Sequence, residues 1–221
     1  MGMAKSGVRK RGRSVLVASG VVGLFALLVG FMWVVLPRND GPKVLFVGDS
    51  VTFLSGGALD QVFVESDVQT IAIPGYTTAE LLPRMRAAMA SPALPGGARQ
   101  RVGVLVGYND ISQGSIDNEE LPQLMEAAAE FECAVVLTLP ARPGGELASN
   151  PNIATDKVEL WNARLEDETA AHPSVHLARD WEEAVNAAEP LQFLDPDGIH
   201  PNRSGGVQLA ASYQAAMDRL C

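Results

Sequence analysis

Five short apolar runs, each ending at a turn and separated by segments with helical spacing, constrain this chain more than any other feature. The runs are Lys43–Val47, Val68–Ile73, Arg101–Val106, Ala134–Leu139 and Ser174–Ala178. They are too short and too uniformly apolar for amphipathic helices, and they read as buried strands. Between the second and third, Thr77-Thr78-Ala79-Glu80 forms a capping box, and Leu81, Leu82, Met85, Ala88 and Met89 share one helical face. Pro83 removes one hydrogen bond there and predicts a slight bend. Asp117-x-x-Glu120 predicts the cap of another helix, with Leu121, Leu124, Met125, Ala128 and Phe131 inward. A further helix carries Val158, Trp161 and Leu165. The last carries Leu209, Tyr213, Ala216, Met217 and Leu220. Alternating strands and helices imply a parallel sheet covered on both faces, with functional residues at the carboxyl ends of its strands.

A second feature concerns where such a domain resides. Val15 to Leu36 is a run of 22 residues without a charge. As a helix it would be about 33 Å long, enough to cross a hydrocarbon core of roughly 30 Å. Five basic residues and no acid precede it in residues 1–13, and Trp33 stands near its far end. Such a pattern places the N-terminus in the cytoplasm and the body outside. The run is longer than the apolar part of a cleaved signal peptide, and no Ala-x-Ala follows it. The expected organisation is therefore a basic tail over 1–14, a signal-anchor helix over 15–36, a linker over 37–42 and one catalytic-size domain over 43–221.

Charge narrows the partners. Outside the tail the chain carries 12 basic against 26 acidic residues, a formal charge of −14. Such a body is repelled by nucleic acid and by anionic lipid surfaces.

The polar residues with chemical meaning fall after the strands. Gly48-Asp49-Ser50 puts a serine at the first turn after strand one, where a helix N-terminus lends positive potential. Positions 48–52 lack the Gly-x-Ser-x-Gly elbow, which disfavours an ordinary α/β-hydrolase. Asp195-Pro-Asp197-Gly-Ile-His200 precedes the last helix. A turn there can set a carboxylate on one imidazole nitrogen and leave the other facing outward, as a serine–histidine–acid triad requires. Taken alone, the segment reads more readily as a turn with a solvated aspartate and a capping histidine. Gly75 and Asn109, each just after a strand, can supply a backbone N–H and a side-chain amide to a developing oxyanion, although each taken alone is more often a turn residue.

Together these blocks resemble the SGNH (GDSL-type) hydrolase family: Gly48-Asp49-Ser50, Gly75, Gly107-Tyr108-Asn109-Asp110 and Asp197-Gly-Ile-His200, in that order. The resemblance implies a flavodoxin-like three-layer αβα sandwich on a five-stranded parallel sheet. It implies ester or acyl-transfer chemistry with no metal or cofactor. By matching position, Ser50 would be the nucleophile, His200 the general base and Asp197 its orienting acid. The Ser50 amide, the Gly75 amide and the Asn109 side chain would form the oxyanion hole. Asp195 competes with Asp197 as the acid but fits the family spacing less well.

Other features carry less. His172 and His176 have a zinc-helix spacing, but Pro173 stands between them and the segment leads into a strand. Trp161 and Trp181 could stack on sugar, with core packing the expected role. Cys133 precedes strand four and Cys221 ends the last helix, which places both at the bottom of the domain. An extracytoplasmic compartment permits a disulfide, but a sequence does not carry the Cα separation that one needs.

The expected function is an extracytoplasmic serine esterase acting on acyl or acetyl esters of envelope glycans or small alcohols. The same acyl-enzyme could instead pass its group to a sugar hydroxyl. Related domains partner membrane acyltransferases, so a co-operating membrane protein fits the resemblance. A non-catalytic binding domain is disfavoured because every catalytic position is filled.

Overall fold

A computed structural model describes residues 41–91, 100–141, 153–189 and 191–221. The expected membrane helix and most of the linker lie outside the described residues. Among those described, no helix is long and apolar enough to cross a membrane.

The five apolar runs form β1 (Lys43–Gly48), β2 (Asp67–Ala72), β3 (Gln100–Leu105), β4 (Cys133–Leu137) and β5 (Val175–Ala178). All pair in parallel, in the order β2-β1-β3-β4-β5. β4 is buried throughout and β1 from its second residue on, as strands covered on both faces must be. β2, at the edge, is only partly covered and is correspondingly more polar.

The helices are α1 (Ser50–Val62), α2 (Thr78–Met89), α3 (Tyr108–Ser112), α4 (Glu120–Ala128), α5 (Thr155–Ala170), α6 (Asp180–Ala187) and α7 (Arg203–Leu220). α1, α6 and α7 pack together, and α2, α4 and α5 pack together. This division follows from strand order: the chain leaves β1 toward β2 and later crosses toward β3, and right-handed crossovers in opposite directions lie on opposite faces. β1 is the point of reversal, where a crevice opens at the carboxyl ends.

Glu80 accepts from both the N–H (2.9 Å) and the hydroxyl (3.0 Å) of Thr77, so the capping box forms, and α2 runs through Pro83. Asp117 is not a cap. α4 begins at Glu120, and Asn118 Oδ1 instead accepts from Leu121 N–H at 2.8 Å. The sequence predicts no helix at α3 or α6. They have five and eight residues, and helical periodicity shows over windows of about 11 or more.

Beneath the crevice, Phe46 packs its ring on Phe63 and Tyr213, with centroids 5.1 and 5.0 Å apart. Gly103 makes room for this: a Cβ there would come within 2.7 Å of both Phe46 and Tyr213. Trp161 and Trp181 are buried in the core. At the opposite end from the crevice, Cys133 and Cys221 form a disulfide with their Cα atoms 5.7 Å apart.

Candidate active site

Ser50 is the first residue of α1, directly beyond β1. Its N–H belongs to the group of initial amides that no intrahelical carbonyl reaches. Asp49 is the N-cap: its buried Oδ1 accepts from Val51 N–H at 3.0 Å. Ser50 itself is half-buried.

His200 lies on the loop before α7. Its Nε2 is 2.9 Å from Ser50 Oγ, and its Nδ1 is 2.5 Å from Asp197 Oδ2. A carboxylate can only accept, so Nδ1 carries the proton and Nε2 is left to accept from the serine hydroxyl. Asp197 is fixed locally. Its Oδ1 accepts from Ile199 N–H and His200 N–H, both at 2.9 Å, and Gly198 at φ +74° closes the turn. Partial burial pushes the Asp197 carboxyl up. The hydrogen bonds from His200 and from the two amides outweigh it and hold the group below its ordinary value. It therefore stays ionised.

The loop is tied down from behind. Asn202 caps α7 by accepting from Gly205 N–H (3.0 Å), and its amide donates to the carbonyls of Leu191, Gln192 and Leu194 at 3.1–3.2 Å. Asp195 donates its N–H to His200 O at 2.8 Å. Its exposed carboxylate has no hydrogen bond to the imidazole, so the pairing is with Asp197.

Two further groups reach the site from the neighbouring strands. Gly75 follows β2 with φ +84°, a left-handed conformation that glycine adopts without strain. Its N–H has no hydrogen-bond partner among the described residues. Asn109 stands in α3, beyond β3. Its Nδ2 donates to Tyr76 O at 3.0 Å and to Asp49 Oδ2 at 3.3 Å. Gly107, at φ +135°, makes the turn into α3, and Trp161 packs so closely there that a Cβ would lie 2.2 Å from its indole nitrogen. That indole N–H donates to Val106 O at 3.0 Å.

Two buried aspartates support this arrangement. Asp110 accepts from Thr78 N–H (3.1 Å to Oδ1), Thr78 Oγ1 (3.1 Å) and Asn118 Nδ2 (2.9 Å). It thereby fastens the start of α2, three residues past Gly75, to the helix that carries Asn109. Burial pushes the Asp49 and Asp110 carboxyls each up to about 6, against the hydrogen bonds they accept. Sequence reasoning gave neither a role. Asp49 was findable, because an aspartate directly before a helix start is a cap signal. Asp110 stands in the Gly107-Tyr108-Asn109-Asp110 block, but its supporting role left no signal, because its partners come from 32 residues upstream and 8 downstream.

Ser50, His200 and Asp197 are thus in direct contact, and Asn109 is hydrogen-bonded to the residues that adjoin Ser50 and Gly75. The family model for GDSL-like lipases and acylhydrolases matches residues 46–206. The chain belongs to this family. Solved structures of similar fold include a GDSL-like lipase from Bacteroides thetaiotaomicron, with TM-score 0.61 and 18% identity over 89% of this chain and 98% of that one. A lipolytic protein of the G-D-S-L family from Veillonella parvula has TM-score 0.62 and 16% identity over 81% and 100%. The C-terminal catalytic domain of peptidoglycan O-acetyltransferase A from Streptococcus pneumoniae has TM-score 0.62 and 14% identity over 81% and 94%. No curated protein matches the sequence of this GDSL-like chain.

Proposed function

We propose that this GDSL-like protein is a serine esterase that hydrolyses acyl esters, short ones such as acetyl included, through an acyl-enzyme. The observation that carries this reading is the unbroken relay from Asp197 through His200 to Ser50, with contacts of 2.5 and 2.9 Å.

In the proposed reaction Ser50 Oγ attacks the ester carbonyl carbon as His200 Nε2 takes its proton. Asp197 stabilises the imidazolium so formed. The carbonyl oxygen becomes an oxyanion facing the amides of Ser50 and Gly75 and the Asn109 side chain. Asn109 keeps its bond to Asp49 and exchanges Tyr76 O for the oxyanion as acceptor. Collapse breaks the bond to the alcohol oxygen, which leaves with the proton from His200. Water then attacks the acyl-Ser50 ester and gives its proton to Nε2. The acid departs and Ser50 regains its hydroxyl.

The site of action in this reading is outside the cytoplasmic membrane, on a domain held by the N-terminal apolar run. The basic tail before that run supports it. So does the Cys133–Cys221 disulfide, a bond that persists in oxidising compartments. The acidic body suits neutral glycan esters or small esters better than an anionic lipid surface.

The test is hydrolysis of p-nitrophenyl acetate by the full-length protein in detergent, wild type against Ser50→Ala. Turnover lost in a variant that melts like wild type supports the reading. Turnover that survives removes Ser50 from the mechanism.

A further inference from the structure

A groove of about 420 Å³ runs between α1 and α7 beside the crevice. Its walls include Leu54, Gly57 and Gln61 from α1, and Asp195, Arg203 and Val207 from the His200 loop and the start of α7. Leu54, Gly57 and Gln61 stand four, seven and eleven residues after Ser50. At 3.6 residues per turn these positions form one stripe of α1, so the groove lies along the helix face that begins at the serine. From Ser50 to Gln61 that stripe is roughly 16 Å long.

Stereochemistry says which part of an ester goes there, granted the esterase reading above. The oxyanion donors Gly75 and Asn109 come from the loops after β2 and β3, which lead into α2 and α3. His200 comes from the loop that leads into α7, on the other face of the sheet. The imidazole must meet the oxygen of the departing alcohol, so the alcohol lies on the α1/α7 side. By microscopic reversibility an accepting alcohol occupies the same place.

The lining says what kind of alcohol. Gln61, Asp195 and Arg203 present an amide, a carboxylate and a guanidinium, none with a side-chain hydrogen bond to any described residue. Leu54 and Val207 are 53% and 52% exposed and offer apolar wall between them. Opposite charges with donors and acceptors of both kinds, interleaved with aliphatic surface, match the hydroxyls and C–H faces of a sugar ring. An aliphatic chain would leave the polar groups unpaired. We infer that the α1/α7 groove is the binding site for a polyhydroxylated alcohol, a sugar unit of the ester substrate or acceptor.

Gly57 provides the test. A Cβ there meets nothing within 4 Å, and the residue lies inside a helix, where every larger side chain except proline is favoured over glycine. Gly57→Trp therefore fills the groove without straining the fold. The full-length protein and this variant are compared on methyl 6-O-acetyl-glucoside and on p-nitrophenyl acetate, whose activated phenol needs no such site. The expected result is a kcat/KM for the sugar ester that falls at least tenfold further than that for the aryl ester. Equal losses on both, or no loss on the sugar ester, overturn the assignment. If wild type cleaves the aryl ester but not the sugar ester, the esterase reading stands and the groove assignment falls. If neither is cleaved, the esterase reading fails, and saturation-transfer NMR with methyl glucoside decides the groove. A signal in wild type that is lost in Gly57→Trp supports it, and no signal in wild type overturns it.

Discussion

Asp49 Oδ2 accepts a hydrogen bond from Asn109 Nδ2 at 3.3 Å, so the residue before the serine orients an amide on the helix that follows another strand. The other oxygen of the same carboxylate caps α1. One buried side chain thus fixes both the helix start at Ser50 and the direction of the Asn109 amide.

Asp49→Asn separates these two tasks. Asparagine caps a helix as well as aspartate. With its oxygen on Val51 N–H, however, its own NH₂ faces that of Asn109. The loss of a buried hydrogen bond is expected to lower kcat about 10- to 100-fold while the fold persists. Steady-state kinetics on the full-length variant check this. An unchanged kcat means that Asp49 does not orient Asn109.

Asn109→Ala removes the amide itself. If it serves the oxyanion, kcat falls roughly 10²–10³-fold, with KM changed much less, because the interaction strengthens only as charge develops. A loss confined to KM would place Asn109 in ground-state binding instead.

Stability should depend on pH through the two buried aspartates. Asp49 and Asp110 titrate at about 6 in the fold and near 3.8 when unfolded. Between those values the folded state holds protons that the unfolded chain has released, so stability falls as pH rises from about 4 to about 6 and then levels off. The loss is on the order of 3 kcal/mol for each carboxyl taken alone. Denaturation midpoints measured from pH 4 to 7 should decline, and Asp49→Asn should remove part of that slope. A midpoint that rises across this window contradicts the account.

Gly75 and Gly107, two of the glycines at positive φ, should respond differently to alanine. Gly75 has open space at its Cβ position, so Gly75→Ala meets only the backbone cost, roughly 1–2 kcal/mol. Gly107→Ala meets the same kind of cost and also drives a methyl into Trp161. It should destabilise more, and it should lower kcat by displacing α3 and with it Asn109. Thermal melts and kcat of the two variants check the order.

The disulfide should matter for stability and little for catalysis. Cys133 and Cys221 are 88 residues apart and join the far end of the sheet from Ser50. Replacing both by alanine should cost about 2–5 kcal/mol. Esterase activity below the melting transition should be retained. A large loss of kcat in a folded double variant would couple that end of the domain to the site.

The alternation of strands and helices was legible in the sequence, because apolar periodicity is a local property of the chain. The sequence also marked the positions after β1, β2 and β3 and the turn before α7, since glycine, serine, asparagine and Asp-x-x-His were set where strand ends must lie. What it left open was settled by contacts between residues far apart in the chain. Asp197 rather than Asp195 faces His200 because Gly198 closes a turn that the Asn202 cap anchors. Thr78 and Asn118 hold Asp110 beside Asn109, and Trp161 packs on the Gly107 turn before it, from elements that only packing brings together. The cysteines meet because α7 returns to the amino end of β4. The α1/α7 groove exists because strand order sends those two helices to the same face. Local patterning chooses elements, but burial, charge pairing and cavity shape arise only when distant elements pack, and on these the chemistry of the site depends.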